Sequence, residues 1–254
     1  MTRQLAGAAV LFAAYLFLHL PVEDFFDMLA RRFGFETYDR FALIGFMAGG
    51  VAVLVAAWTW PSGRRVLVGI AMTALVALTA VAQRLIVVAS IENIHYPQYA
   101  LLLWALARGL PSVESAWLVA TGLGALDEAY QYVALPRGTP DYFDWNDVLL
   151  NAIGATFGVV IMLMLGRVRG ERSPFYARAV LVTAVAVVVV AFIVDPPVLS
   201  PFYTHTPGGR PFHKLSAAEA AIVSAALWAA VRSFERRAVV TSSDECDPST
   251  SSRP

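Results

Sequence analysis

Long apolar segments separated by short polar ones make up most of this chain. A helix of about 20 mostly apolar residues is long enough to cross the hydrocarbon core of a bilayer. The hydropathy pattern predicts eight spans, of which the fourth is the shortest: Gln4–Val22, Phe41–Trp60, Val66–Ala89, Tyr96–Ala107, Ala116–Val133, Val148–Gly166, Ala179–Val194 and Ala217–Phe234. The pattern therefore predicts an all-α fold, a polytopic bundle of transmembrane helices.

The composition agrees with a bilayer as the solvent. The 254 residues are 58% hydrophobic and 15% charged, whereas soluble domains carry about 25% charged residues. The net charge is zero and the basic residues are scattered, so no basic patch indicates nucleic-acid binding. No small-residue cleavage site closes the first apolar segment, which we therefore expect to remain as a helix. We predict a multi-pass protein of the plasma membrane, with membrane lipid as its surroundings.

The distribution of positive charge predicts an orientation. If eight spans alternate in direction, most of the 19 Lys and Arg residues fall on the side of the two termini. Positively charged loops stay in the cytoplasm, so both termini are predicted to be cytoplasmic. The segment 23–33 could form a short interfacial helix on the outer side. We divide the chain into helices one to three (1–89), helices four to six (90–166), helices seven and eight (167–238) and a disordered polar tail (239–254).

Polar residues gather at the ends of spans four, five and six. The loop around Arg108 joins spans four and five, so the start of span four, the end of span five and the start of span six share one face, predicted to be outside. Ionisable groups at membrane depth cost ~2.5–3.5 kcal/mol each, so they tend to pair or to face water. The candidate binding residues on this face are Glu92, His95, Tyr99, Glu128, Gln131, Arg137, Asp144, Asp147 and Asn151.

Residue spacing adds detail to spans five and six. Glu128 and Gln131 are three residues apart, and Asp147 and Asn151 are four apart, so each pair shares a helix face. The G-x-x-x-G at 154–158 allows a second helix to approach closely. We predict that this face packs against span five.

These polar residues carry a family resemblance. They are His95-Tyr96 with Tyr99, then Glu128-x-x-Gln131, then Arg137, then Asp144-x-x-Asp147 followed by Asn151 and Gly154. In this order they resemble the VanZ-like family, over about Ser90–Leu165. Many members place an Asp-Lys pair just before the His, where this chain has Ile91-Glu92. The resemblance implies a cell-envelope membrane protein, of a family named for resistance to glycopeptides such as teicoplanin, but no established reaction.

Three interpretations of the polar residues remain open. They could form an outward-facing pocket for a lipid headgroup, a lipid-linked cell-wall precursor or a glycopeptide, with Arg137 holding an anionic group. They could instead be a structural network in which Glu128, Arg137, Asp144 and Asp147 neutralise one another. In the third interpretation, Glu128 and Asp147 act as the acid and base of an enzyme.

The motifs favour binding over catalysis. The sequence has no G-x-S-x-G and no H-E-x-x-H, and its His residues show no metal-chelating spacing. No inverted repeat indicates a transporter. We therefore predict a non-catalytic envelope protein, without cofactor or metal, that binds or shields an amphiphilic envelope component or a glycopeptide. The alternative is a membrane-embedded enzyme acting on a lipid-linked envelope substrate.

Overall fold

Seven α-helices make up most of the chain that the computed structural model describes, which is residues 3–61, 63–134, 143–167, 185, 202–203 and 212–244. The helices are α1 (Arg3–Phe33), α2 (Phe35–Thr59), α3 (Arg65–Leu85), α4 (His95–Ala107), α5 (Val113–Ala134), α6 (Trp145–Met164) and α7 (Ala217–Asp244). A 3-10 helix, Ser90–Ile94, precedes α4. Two short antiparallel strands, β1 (Phe202–Tyr203) and β2 (Phe212–His213), pair with Phe202 opposite His213. The fold is otherwise all-α, as predicted.

Five of these helices are long and apolar enough to cross a membrane, namely α1, α2, α3, α6 and α7. The 13 residues of α4 rise only about 20 Å, which is less than the ~30 Å hydrocarbon core. Helix α5 has 22 residues but carries Asp127 and Glu128 near its end. The chain is a multi-pass membrane protein. The seventh predicted span, Ala179–Val194, lies almost entirely outside the described residues, and the count of eight and the orientation stay predictions.

Some predicted boundaries are wrong. Helix α1 continues through the segment 23–33, predicted as a separate interfacial helix, although Pro21 lies inside it. The end of the segment, Met28–Arg32, has high helix propensity, and Asp27 pairs with Arg31 one turn later at 3.4 Å. Gly34, at φ 82°, then separates α1 from α2, in a backbone conformation that glycine adopts readily.

Two other helix ends also differ from the prediction. Helix α3 ends at Leu85, four residues before the predicted end of span three, because the chain turns into the 3-10 helix. Helix α7 extends to Asp244, through the first residues of the predicted disordered tail. The remainder of that tail lies outside the described residues.

Helix α6 forms the centre of the bundle. It contacts α3, α4, α5 and α7. In its most apolar 18-residue stretch, 83% of the residues are buried inside the protein, whereas the share is 6% in α1 and in α2. A helix that is apolar on all sides requires apolar neighbours all round. The outer faces of α1 and α2 instead expose large apolar side chains such as Phe17, Phe41 and Met47, which suits contact with lipid.

The small-residue face of α6 packs against α4, not against α5 as predicted. A Cβ on Gly154 would lie 2.6 Å from the carbonyl oxygen of His95, and one on Gly158 would lie 2.9 Å from that of Ala100. Helix α5 contacts a neighbouring face of α6, where a Cβ on Gly124 would lie 2.8 Å from the Cβ of Asn151. The two glycines of α6 therefore bring the backbone of α4 against the centre of the bundle.

Glu235 joins α7 to the beginning of α5. Its two carboxylate oxygens accept hydrogen bonds from the backbone N–H groups of Val113 (3.1 Å) and Glu114 (3.2 Å), and its side chain is buried. The first N–H groups of a helix have no partner within the helix, and a negative charge there is favourable.

We expect Glu235→Ala to lower the free energy of unfolding by about 1–3 kcal/mol, because one buried and one partly buried N–H donor lose their acceptor. Unfolding of the purified protein in detergent by added SDS measures this change. Glu36→Ala is the control, because the one contact of Glu36 with another side chain among the described residues is an exposed 3.6 Å ion pair with Arg40, worth ~0.2–1 kcal/mol. An equal loss in the two variants would contradict a role of Glu235 as a cap.

Candidate functional site

The 3-10 helix Ser90–Ile94 places His95 at the first position of α4. Glu92 stabilises the turn that leads into it, since its carboxylate oxygens accept hydrogen bonds from the backbone N–H groups of Val88 (2.9 Å) and Ala89 (3.1 Å). Both oxygens of this predicted binding residue are therefore engaged by backbone. Glu92 contributes to the site mainly as a negative charge beside it.

Side chains from α2 and α3 hold the same turn from the other side. Asp39 accepts a hydrogen bond from the N–H of Ser90 at 2.6 Å. The carboxamide of Asn93 donates to Gln83 of α3 and to the carbonyl of Ser90, both at 2.7 Å. The start of α4 is thus fixed by polar contacts with two other helices.

Three helices bring their polar side chains together next to this turn. Nε2 of His95 in α4 lies 3.6 Å from Oδ2 of Asp147 in α6. Glu128 of α5 completes a group with these two residues, in which one potential metal-binding atom from each residue lies within 4.8 Å of the others. His95 and Glu128 are buried, and the side chain of Asp147 is 17% exposed.

Further polar contacts connect α5 to this group. The hydroxyl of Tyr99, which is fully buried, donates to Oδ2 of Asp127 at 3.2 Å. The carboxamide of Gln131 donates to Oε1 of Glu128 at 3.2 Å. Helix α5 therefore supplies two buried carboxyl groups, each with one neutral hydrogen-bond donor.

The cluster is strongly acidic. Asp147 lies within electrostatic reach of four other carboxyl groups, which are those of Glu92, Asp127, Glu128 and Asp144. Outside the membrane spans, burial and the charge of Asp147 raise the pKa of Glu92 well above its ordinary value. The same two causes raise the pKa of Asp144 to about 7. Crowding of carboxyl groups out of water favours their neutral forms, or a cation bound among them.

Several buried polar atoms in the cluster have no hydrogen-bond partner among the described residues. They include Nδ1 of His95, Oδ1 of Asp127, Oδ1 of Asp147 and both carboxamide atoms of Asn151. Asn151 is fully buried, one turn after Asp147 on α6. Buried polar groups in proteins are nearly always paired with protein, water or an ion. The cluster is thus closed but incompletely satisfied by the chain itself.

The structure places the predicted residues in three groups. His95, Tyr99, Glu128, Gln131, Asp147 and Asn151 lie in or beside the cluster. Glu92 and Asp144 lie at its edge with structural contacts, since Asp144 caps α6 by accepting from the N–H of Asn146 at 2.9 Å. Arg137 lies outside the described residues.

Two polar residues were missing from the predicted set. Asp127 lies at the end of span five, and no sequence pattern links it to Tyr99, its hydrogen-bond partner in the structure. Asn146, within the Asp144–Asp147 motif, is buried and joins three segments. Its Nδ2 donates to the carbonyls of Ile86 (3.0 Å) and His213 (3.1 Å), and its Oδ1 accepts from the N–H of Leu215 at 2.8 Å. Its position in the motif was the available signal.

An apolar cleft adjoins the polar cluster. It has a volume of about 430 Å³ and lies between α1 and α2, with one residue of the 3-10 helix at its edge. It is lined by Phe26, Leu29, Phe33, Tyr38, Phe41, Ala42, Gly45, Phe46 and Ile91. Because Ile91 is followed directly by Glu92, the cleft and the cluster share this short helix.

Comparison with known proteins identifies the family. The family model of VanZ/LLP1 matches residues 20–166, which is more than half of the chain. The match extends beyond the motif region of Ser90–Leu165 and includes α2, α3 and the end of α1. No curated protein and no solved structure shows a significant match. The described motif residues gather on three adjoining helices, and the family match over residues 20–166 shows that the chain belongs to the VanZ/LLP1 family.

Proposed function

We propose that this VanZ/LLP1-family protein binds an amphiphilic component of the cell envelope, with the polar headgroup at the acidic cluster and an acyl chain in the cleft between α1 and α2. The observation that carries the proposal is the adjacency of the two sites. Ile91 lines the cleft, and the next residue, Glu92, lies within electrostatic reach of Asp147.

The chemistry of each part suits an amphiphile. The cleft is lined by aromatic and aliphatic side chains, and its volume of about 430 Å³ falls within the ~300–1,000 Å³ usual for small-molecule sites. The cluster carries buried donors and acceptors without partners among the described residues. Binding of a polar group would supply those partners. A plasma-membrane location with the cluster on the outer face would give it access to lipid headgroups, lipid-linked cell-wall precursors and glycopeptides.

Filling the cleft tests the role of the acyl chain. A Cβ on Gly45 would meet no atom within 4 Å, and Gly45 lines the cleft, so the side chain of Gly45→Leu would start in open space and extend into the cleft. We expect this variant to bind teicoplanin, a glycopeptide with an acyl chain, at least tenfold more weakly, because the side chain occupies the volume that the acyl chain needs. Equilibrium binding to the purified protein in nanodiscs measures the change.

Two controls make this result specific. Gly49→Leu adds the same side chain one turn along α2, outside the cleft and at a position where a Cβ likewise meets no atom within 4 Å, and should bind like the unaltered protein. A glycopeptide without an acyl chain should bind equally to both variants. If Gly45→Leu and Gly49→Leu bind teicoplanin equally, the amphiphile proposal is wrong. It is also wrong if the unaltered protein binds neither teicoplanin nor a labelled lipid-linked precursor.

Catalysis on a lipid-linked substrate is the second candidate. The specific observation in its favour is the imidazole of His95 beside the carboxylate of Asp147 at 3.6 Å, an arrangement that suits a general base. Incubation of the purified protein with labelled lipid-linked precursor tests it. A product that forms with the unaltered protein, and not with His95→Gln, would replace binding by turnover as the function.

A further inference from the structure

We propose that His95, Glu128 and Asp147 bind one divalent transition-metal ion, with Zn²⁺ as the ion that the ligand set fits best. The three residues come from three different helices, α4, α5 and α6. This metal site is independent of the amphiphile proposal, because it needs only these side chains and can be measured without any lipid ligand.

The distances suit an ion between the side chains. Zn²⁺ binds His nitrogen and carboxylate oxygen at about 2.0–2.2 Å in tetrahedral geometry, which places neighbouring ligand atoms roughly 3.3 Å apart. Nε2 of His95 and Oδ2 of Asp147 are 3.6 Å apart, longer than a hydrogen bond and close to that separation. All three ligand atoms lie within 4.8 Å of one another, so the widest pair would close by up to roughly 1.5 Å to reach this separation.

The charges also suit a divalent cation. A neutral imidazole and two carboxylates carry two negative charges, which one divalent ion neutralises. Three more carboxyl groups, those of Glu92, Asp127 and Asp144, lie within electrostatic reach of Asp147. Buried charges in proteins are paired or coordinate metals, because an isolated one is costly to remove from water. Coordination would neutralise the two carboxylates in a site where His95 and Glu128 are buried.

A second observation points to a ligand at the same place. Nδ1 of His95 and the carboxamide of Asn151 are buried and have no hydrogen-bond partner within the described part of the chain. Asn151 lies one turn beyond Asp147, so it faces the same side of α6. A water bound to the metal would supply a partner for the carboxamide of Asn151, whereas a purely structural network would pair this carboxamide with protein.

The ligand types indicate the class of metal. Imidazole suits Zn²⁺ and related transition metals, whereas Mg²⁺ and Ca²⁺ prefer sites built from oxygen alone. Three protein ligands leave the fourth tetrahedral position for water or another ligand. We therefore expect Zn²⁺ to bind more tightly than Mg²⁺ or Ca²⁺.

Metal titration of the full-length protein tests the proposal. The protein, purified in detergent and stripped with a chelator, is titrated with Zn²⁺, and the bound metal is counted by mass spectrometry after gel filtration. We expect one Zn²⁺ per chain and at least tenfold weaker binding in His95→Ala, Glu128→Gln and Asp147→Asn. His213→Asn is the matched control, because His213 also pairs with a carboxylate, Glu219, at 2.9 Å outside the cluster. This variant should bind Zn²⁺ like the unaltered protein.

Absence of tight Zn²⁺ binding, or equal binding in the three cluster variants and the control, would overturn the proposal. X-ray absorption of the unaltered protein with Zn²⁺ covers the case in which the variants do not fold. It should show one imidazole nitrogen and oxygen ligands at about 2.0–2.2 Å, and a sulfur ligand or several imidazoles would refute the site. Gly45→Leu should keep its Zn²⁺, so failure of the metal proposal and failure of the amphiphile proposal give different results.

Discussion

Asn146→Leu is expected to lower the free energy of unfolding by on the order of 3–5 kcal/mol. The buried carboxamide of Asn146 makes three hydrogen bonds, to Ile86, His213 and Leu215. Leucine would leave two carbonyls and one N–H without this partner, and each buried unsatisfied group costs about 1–3 kcal/mol. SDS-induced unfolding of the purified protein measures the loss. We also expect α7 to separate from α6 more readily, because two of the bonds hold the segment that leads into α7.

Asn151→Leu is the matched control for this prediction. Asn151 lies on the same helix and is at least as buried as Asn146, but its carboxamide has no hydrogen-bond partner among the described residues. Leucine there orphans no backbone group and removes only the approach of the carboxamide to Glu128, so we expect a smaller loss, of about 1 kcal/mol. Equal losses in the two variants would show that Asn146 is not special as a junction between segments.

Gly154→Ala is expected to destabilise the protein by about 2–3 kcal/mol. The added Cβ would lie 2.6 Å from the carbonyl oxygen of His95 and 2.9 Å from atoms of Tyr96, all of them backbone. A backbone cannot turn aside as a side chain can, so α4 would have to move away from α6. Overpacking of this kind typically costs 1–3 kcal/mol. Displacement of α4 would also move His95, so Zn²⁺ binding should weaken together with stability.

Gly122→Ala provides the opposite expectation in a neighbouring helix. Gly122 of α5 is buried, yet a Cβ there would meet no atom within 4 Å. Alanine has a helix propensity about 1 kcal/mol better than glycine, so this variant should be equally stable or more stable. Destabilisation of both variants to the same degree would contradict close approach of α4 as the cause of the Gly154 effect.

The geometry bears on the choice between a structural network and a binding site. A network requires closed packing, and His95, Asp127, Glu128 and Asn151 are indeed buried. A network also requires each polar group to be paired, and several atoms of the cluster are not paired with any described residue. The burial of these side chains explains how the cluster can hold α4, α5 and α6 together. The unpaired polar atoms support the proposal that the cluster binds a ligand.

Hydropathy predicted the helices themselves with good accuracy. Spans two, five and six contain the central parts of α2, α5 and α6, because a long apolar segment in a membrane has few alternatives to a helix. The ends were less predictable. Helix α3 stops at Leu85 because Glu92, Asp39 and Asn93 hold the following turn through hydrogen bonds, and two of these contacts depend on residues of other helices.

By itself, the sequence indicated the membrane class and the family, and it predicted that the polar residues share one side. The shared side follows from chain connectivity, since two consecutive spans must begin and end on alternate faces. Only the tertiary structure decided that Gly154 faces α4, that Asn146 joins three segments, and that His95, Glu128 and Asp147 meet. These facts depend on how each helix is rotated about its axis and where it sits along its neighbours. Packing of the whole bundle sets both quantities, and no local pattern of residues contains them.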